Sequence, residues 1–415
     1  MAEGFGNFTI DGDALWRDIM AQAHYGATRK GGIRRLTLTQ EDAQVRAWFE
    51  KTCSDLGATV SADSLGIQFA RVPGTDESLP PIIIGSHLDT QPTGGKFDGI
   101  IGVLGGIAVL RALRETGHRT RHPIEIANWT NEEGSRFAPA MLCSGVFAGV
   151  FDEDYALSRT DRDGVRFGDA LTQIGAAGPE RCGDHPVVAY FELHIEQGPI
   201  LEAEEKTIGI VTGVQGMRWY EVTVTGADAH AGTTPMSMRR DALQGAIALM
   251  AAVQSIALDH GPDAVGTVGL VECRPNSRNV VPGEVFFTAE FRHPDDSVVV
   301  AMEMAFRAKA ETIIATGLDV AIAQVWDSPA VKFAPDLIAA VRDAAQDLSY
   351  PAREIVSGAG HDAAYLARIA PTTMIFVPCA GGLSHNEEES ATPGDVAAGA
   401  NVLLRAVLTA DQALD

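Results

Sequence analysis

Glu132 and Glu133 are adjacent carboxylates that closely follow an apolar stretch ending at Trp129, and Gly134 comes next. Two such neighbours usually form a solvated pair. Projected into a cleft, they can divide labour: one coordinates a cation while the other takes a proton from an activated water. Related groups recur along the chain. Gly85-Ser86-His87-Leu88-Asp89-Thr90 sets an imidazole and a carboxylate at i and i+2 on chain leaving a strand. There the carboxylate can accept the second imidazole N–H and fix its tautomer. Taken alone, the segment reads equally well as a loop histidine beside a turn-forming aspartate. Asp98, in Phe97-Asp98-Gly99, has a ready role as a helix N-cap, yet a carboxylate there is also placed to bridge two cations. His194, in Phe191-Glu192-Leu193-His194-Ile195-Glu196-Gln197-Gly198-Pro199, lies on an apolar strand, where a lone histidine is more often a core residue. His385, in Ser384-His385-Asn386-Glu387-Glu388, also suits a helix-entry turn. The weight lies in joint occurrence, because these imidazoles and carboxylates form the mixed N/O donor set that Zn²⁺, Mn²⁺ or Co²⁺ accepts.

The elements that must position these groups alternate in type. A buried strand over 81–86, a helix over 98–117 and a strand over 122–129 follow helical stretches at 12–28 and 40–56. That order predicts a layered α/β domain with helices on both faces, in which polar residues just past strand C-termini bind ligands. After about Gly213 the pattern changes to a strand at 220–225, a helix at 240–257, strands at 265–272 and 284–291, a helix at 296–316 and a strand at 318–326. This β-α-β-β-α-β order is ferredoxin-like. From Pro335 the α/β pattern resumes, with a helix to 348, another from His361, a strand at 372–377 and a closing helix from Pro393. The expected fold is therefore a discontinuous α/β domain over 1–212 and 330–415, with an α+β unit at 213–329 inserted.

At 415 residues the chain exceeds one hydrophobic core, which agrees with two domains. A balance of 46% hydrophobic and 21% charged residues is that of a soluble globular enzyme. With 32 Lys+Arg against 55 Asp+Glu the net charge is −23, so nucleic acid and anionic membranes are excluded as partners by repulsion. An anionic substrate would need a locally positive site. Cys53, Cys143, Cys182, Cys273 and Cys379 are scattered without a C-x-x-C pair and read as free thiols in a reducing compartment. Met1-Ala-Glu-Gly-Phe-Gly lacks the basic and apolar regions of a leader, and the apolar run at 99–110 is too short to span a bilayer, which takes ~20 residues. A cytoplasmic location is expected.

Together, G-S-H-L-D-T, F-D-G, N-E-E-G-S-R-F, H-I-E-Q-G-P, H-A-G-T-T-P-M, N-x-x-P-G and L-S-H-N-E resemble the amidase/hydantoinase/carbamoylase branch of the dinuclear metallo-exopeptidase clan. The likeness runs from about residue 10 to the C-terminus, with the motifs in order. That branch holds N-carbamoyl-L-amino acid hydrolases, β-ureidopropionases and allantoate amidohydrolases. The resemblance implies a mixed-sheet catalytic domain of metallo-exopeptidase type with a lid and dimerisation domain inserted. It implies two divalent cations, Zn, Mn or Co, one held by His87, Asp98 and His194 and the other by Asp98, Glu133 and His385, with Asp98 bridging. It further implies that Asp89 supports His87 and that Glu132 is the general base. The histidine at position 194, where aminoacylase and carboxypeptidase branches carry a carboxylate, favours a carbamoyl amidase.

In the middle unit, His230 matches a histidine that stabilises the oxyanion and reaches across a homodimer into the partner's site. Asn279 and Arg292 match residues that hold the substrate carboxylate. Gln197, Trp219, Gly360 and His361 match substrate-facing positions. By their own chemistry His230 is an ordinary turn histidine, Arg292 a strand-end ion-pair residue, and 357–362 a glycine turn capping a helix. The implied reaction hydrolyses N-carbamoyl-L-amino acids or N-carbamoyl-β-alanine to amino acid, CO₂ and NH₃, with allantoate as the alternative substrate. An aminoacylase or dipeptidase is disfavoured by His194. A non-catalytic binding protein would have lost a ligand or the base, and this chain keeps them all.

Overall fold

The computed structural model describes residues 8–414, which form two compact units. The Met1–Gly6 segment read for a leader lies outside the described residues. One unit comprises the described residues up to Gly213 and from Lys332 onward; the other is Val214–Val331.

The first unit is built on a nine-stranded mixed sheet. At its centre, Ile124–Trp129, Ile82–His87, Ala189–Ile195 and Thr372–Val377 run parallel in that spatial order. Each of the four is fully buried, as expected for strands covered on both faces. Antiparallel partners flank them: Gln68–Val72 and Thr59–Ala62 on one side, and Ile208–Val214 on the other. Helix Ile100–Thr116 lies on the sheet at very close range. A Cβ on Gly102 would stand 2.6 Å from the Leu193 carbonyl oxygen and 2.6 Å from Ser86 Cβ, so only glycine permits this approach. The closing helix Pro393–Ala413 begins with Thr392 as N-cap and Pro393 in its first turn, both favoured there.

The second unit is a five-stranded antiparallel sheet with helices Ala242–Asp259 and Asp296–Ile314. Its spatial order, Val271–Arg274, Glu284–His293, Gly216–Thr225, Asp319–Ser328, is the ferredoxin-like one. The strand expected over 265–272 is split into Val265–Thr267 and Val271–Arg274. A two-stranded ribbon, Ala229–His230 with Val280–Val281, is added. Helix Ala242–Asp259 is longer than the 99–110 run, with mean hydropathy 1.4 and length enough to cross a bilayer. Its buried face, including Ala246, Leu249 and Val253, belongs to the core of this unit together with Val222, Phe287 and Phe291.

On the outer part of the larger sheet, Glu125 is fully buried and is held by Arg71 Nη1 at 2.7 Å and His185 Nε2 at 2.5 Å. His185 also contacts Glu180 and stacks on Phe69, with ring centroids 4.2 Å apart. Burial disfavours the imidazolium, but Glu125 and Glu180 outweigh it and raise the His185 pKa. A raised folded-state pKa stabilises the fold fully below the unfolded value of ~6.5 and loses that contribution as pH climbs through the folded value. Thermal melts should therefore show a larger deficit for His185→Gln at pH 6 than at pH 9; an equal deficit at both would exclude this linkage.

Candidate metal centre

The C-terminal ends of the four parallel strands carry the chemistry, as the strand-end rule anticipates. His87 ends its strand and His194 sits near the end of Ala189–Ile195; Glu132 and Glu133 follow Ile124–Trp129, and His385 follows Thr372–Val377. Asp98 stands at their centre. Its Oδ1 is 3.1 Å from His194 Nε2 and 3.8 Å from His87 Nε2, and its Oδ2 is 3.3 Å from His385 Nε2. Glu133 Oε2 is 3.4 Å from His385 Nε2, and Glu132 Oε2 is 3.5 Å from His87 Nε2. Donor atoms of His87, Asp98 and His194 all fall within 4.8 Å of one another, as do those of Asp98, Glu133 and His385. A third grouping, Glu192, His194 and His361, is equally tight. There, however, both Glu192 oxygens are engaged, one by Ser86 Oγ at 2.8 Å and the other by the Tyr190 hydroxyl and the Ala363 N–H, each at 3.1 Å.

Two expectations are corrected. Asp98 is not an N-cap: the helix starts at Ile100 with Gly99 before it, no side chain caps it, and the Asp98 carboxylate turns toward the imidazoles. Gly99 is required there, because its φ is +67° and a Cβ would meet His87 Nε2 at 2.2 Å. Nor does the Asp89 carboxylate orient His87. The Asp89 main-chain carbonyl lies 2.9 Å from His87 Nδ1, whereas the carboxylate is 3.9 Å away and accepts from the Glu132 N–H at 3.3 Å. The i+2 spacing places the carbonyl nearer than the side chain.

The donor set fits cations. His87 and His194 each set Nδ1 against a main-chain carbonyl at 2.9 Å, which turns Nε2 toward the Asp98 carboxylate; His194 Nε2 also accepts from the Gly99 N–H at 3.0 Å. An acceptor facing an acceptor needs positive charge between them. In the metal-free state protons can supply part of it. Burial opposes the charged form of His194, but Asp98 outweighs it and raises the pKa to about 9; the Asp98 hydrogen bond likewise raises His385 to about 9. His87 is lowered to about 4 by burial. Burial also raises the surrounding carboxyls, Asp89 to about 7, Glu133 to about 8 and Glu132 well above its usual range. The site thus crowds carboxyl groups that burial and mutual repulsion keep from ionising together, a resistance that divalent cations remove.

Several supporting residues escaped the sequence reading. Gln91 holds both Glu133 oxygens, through its N–H at 3.0 Å and its side-chain amide at 2.6 Å. Ser384 donates to Asp98 Oδ2 at 2.7 Å, and Glu389 accepts the N–H groups of Phe97 and Asp98. Asp362, fully buried and bonded to Ser144 Oγ, stands beside Glu132 as one source of its raised pKa. Gln197 is half-buried and donates to Asp98 Oδ2 at 2.9 Å. His361 is buried edge-on against His194, ring centroids 4.5 Å apart, with Nε2 3.0 Å from Ser357 Oγ. A Cβ on Gly360 would meet Met141 Cε at 2.8 Å.

In the second unit, His230 and Asn279 are exposed and come together on the added ribbon: His230 pairs with Val280, and the Ala231 N–H reaches the Asn279 carbonyl at 2.9 Å. His230 Nδ1 accepts from the N–H groups of Gly232 and Thr233 at 3.0 and 3.2 Å. Arg292 is half-buried on strand Glu284–His293, where its Nη2 is 2.9 Å from Glu290. The ribbon joins the Glu284 end of that strand, and the eight residue steps from Glu284 to Arg292 span roughly 26 Å at ~3.3 Å per residue. Trp219, 43% exposed, pairs with Glu290 in register and shares the Arg292 side of the sheet.

The profile of peptidase family M20/M25/M40 matches residues 83–409. An enzyme of Rhizobium meliloti named N-carbamoyl-L-amino-acid amidohydrolase is 49% identical over 403 residues, covering 97% of each chain. The allantoate amidohydrolase of Bacillus subtilis is 35% identical over 371 residues, covering 88% of this chain and 90% of its own. A crystal structure of a hydantoinase/carbamoylase family amidase from Burkholderia multivorans superposes with a TM-score of 0.94 at 55% identity, covering 97% of this chain and 98% of the other.

Gly99→Ala should leave a folded protein that takes up far less cation, because its methyl group enters the His87 ring position. Metal content measured after dialysis against Co²⁺ checks this, and uptake equal to wild type would contradict the geometry.

Proposed function

The chain belongs to peptidase family M20/M25/M40 and to its amidase/hydantoinase/carbamoylase branch, and on that premise we propose that it is a metal-dependent amidohydrolase that removes the carbamoyl group of N-carbamoyl-L-amino acids or N-carbamoyl-β-alanine. The observation that carries the chemistry is the Asp98 carboxylate facing His87 and His194 with one oxygen and His385 with the other, with Glu132 alongside. The substrate class comes from relatives: N-carbamoyl-L-amino acids and allantoate are the substrates named for several enzymes similar to this chain. Allantoate is the second reading, supported by the Bacillus subtilis relative.

His87, Asp98 and His194 would hold one divalent cation, and Asp98, Glu133 and His385 a second, with zinc, manganese and cobalt all suited to this donor set. Bound there, such cations polarise a carbonyl and make water acidic near neutral pH. Glu132 takes the proton of the attacking water on a carboxylate oxygen and returns it to the departing nitrogen. The C–N bond to the amino acid breaks, and the carbamate released decays to CO₂ and NH₃. Its N–H bonded to Asp89 keeps Glu132 in place for both transfers.

The second unit serves as lid and dimerisation domain in this reading, with His230 holding the oxyanion and Asn279 and Arg292 the substrate carboxylate. Gln197, Trp219, Gly360 and His361 are the further substrate-facing positions in this reading. The separation of His230 and Asn279 from Arg292 supports a homodimer, because one copy of this unit does not present all three to one small molecule. A charge of −23 makes the Arg292 guanidinium the natural counterion for an acidic substrate.

Ammonia release from N-carbamoyl-α-amino acids, N-carbamoyl-β-alanine and allantoate should stop on chelation and return with Mn²⁺, Co²⁺ or Zn²⁺; turnover indifferent to chelator would sink the proposal. Glu132→Gln should cut kcat by ~10²–10⁴ at unchanged cation content. Mixing inactive His230→Ala and Arg292→Ala subunits should restore about a quarter of wild-type activity by random pairing, whereas subunits that each complete their own site would stay inactive.

A further inference from the structure

Glu389 lies four residues after His385 and is 5% exposed. Its Oε1 accepts from the N–H groups of Phe97 at 3.0 Å and Asp98 at 3.1 Å, nearly three hundred residues away in the chain. Its Oε2 is 3.2 Å from Ser384 Oγ, whose single proton goes to the nearer Asp98 Oδ2 at 2.7 Å. Gln197 donates to the same Asp98 oxygen and to Ser384 Oγ. The loop that carries His385 is closed on itself by the Glu389 N–H bonded to the Asn386 carbonyl at 3.0 Å. One carboxylate therefore joins the turn bearing Asp98 to the loop bearing His385, and Gly95 leaves it room: a Cβ there would stand 2.1 Å from Glu389 Oε1.

We propose that Glu389 is a positioning residue for the paired cation sites, clamping the Phe97–Asp98 turn to the His385 loop so that Asp98 keeps one oxygen toward His87 and His194 and the other toward His385. The proposal rests on the reading of this cluster as a metal centre. Without the clamp, the backbone that aims Asp98 is free to rotate, and both sites lose their shared ligand together. Ser384 acts through the same clamp by fixing the carboxylate torsion.

The test compares full-length wild type with Glu389→Ala, Glu389→Gln, Gly95→Ala and the Gly95→Ala/Glu389→Ala double variant, each stripped by chelator and titrated with Co²⁺. Glu389→Ala should weaken Co²⁺ binding ~10–100-fold, the range typical of residues that orient metal ligands. Glu389→Gln keeps an oxygen for the two N–H groups and should stay within a few-fold of wild type. Gly95→Ala should copy Glu389→Ala, and the double variant should be no worse than either. The rise in melting temperature on adding Co²⁺ should shrink more than the melting temperature of the stripped protein falls. Wild-type affinity in Glu389→Ala, a Gln variant as weak as the Ala variant, or additive losses in the double variant would each overturn the proposal. If Glu389→Ala does not fold, Glu389→Gln against Gly95→Ala decides it on the same criteria. A wild-type protein that takes up no Co²⁺ would instead overturn the metal-centre reading on which the proposal stands.

Discussion

A neutral imidazole whose Nδ1 proton is given to a main-chain carbonyl has only a lone pair at Nε2, and here two rings with Nδ1 so engaged, His87 and His194, turn Nε2 toward the carboxylate of Asp98. The arrangement is repulsive by itself and becomes favourable once positive charge sits between the partners. Much of the larger unit can be understood as holding this opposition in place. The parallel strands fix the two rings, Gly99 turns the chain so that Asp98 can enter between them, and Gly102 lets the following helix lie directly on the sheet. Burying charged groups without partners is costly, so a fold that keeps this cluster must be matched to what neutralises it.

The same principle links the inner charges to the outer ones. The chain carries −23 overall, and at Glu132 and Glu133 the cluster adds buried carboxyls whose strongest charged neighbours are mostly other carboxyls. Elsewhere in this unit the fold balances buried acids with protein cations, as Arg71 and His185 do for Glu125 and Arg46 does for Asp42. The contrast within one unit separates a structural ion pair from a site built to receive something else.

How much of this could be read beforehand follows from where each signal resides. His87, Glu132, Glu133 and His194 stand at abrupt changes from apolar strand to polar chain, a local pattern visible without coordinates. The order of elements in the inserted unit was visible for the same reason, since alternating strands and amphipathic helices write their periods into the sequence. The orientation of Asp98 was not: residues just ahead of a helix look like caps, and only the positive φ of Gly99 redirects the carboxylate. Glu389, Gln91 and Glu192 were missed because their partners lie far away in the chain or on main-chain atoms, which leave no pattern. Helical periodicity runs on to 28, but the first helix ends at Gln22 because its end is set from outside. There the buried Arg35 guanidinium takes the carbonyls of Gln22 and Tyr25, at 3.1 and 3.0 Å.

Strand Thr372–Val377 lies between Ala189–Ile195 and Ile208–Val214, although it comes almost last in the chain. During synthesis from the N-terminus, the two earlier strands emerge with their common neighbour still missing, and the whole inserted unit is completed before that neighbour exists. The larger sheet therefore cannot close until Thr372–Val377 has been made, while the ferredoxin-like unit, whose strands are all contiguous, can fold before it. A late-arriving central strand also brings the His385 loop directly behind it. The final ligand is thus delivered by the same segment that seals the sheet, which ties assembly of the cluster to completion of the fold.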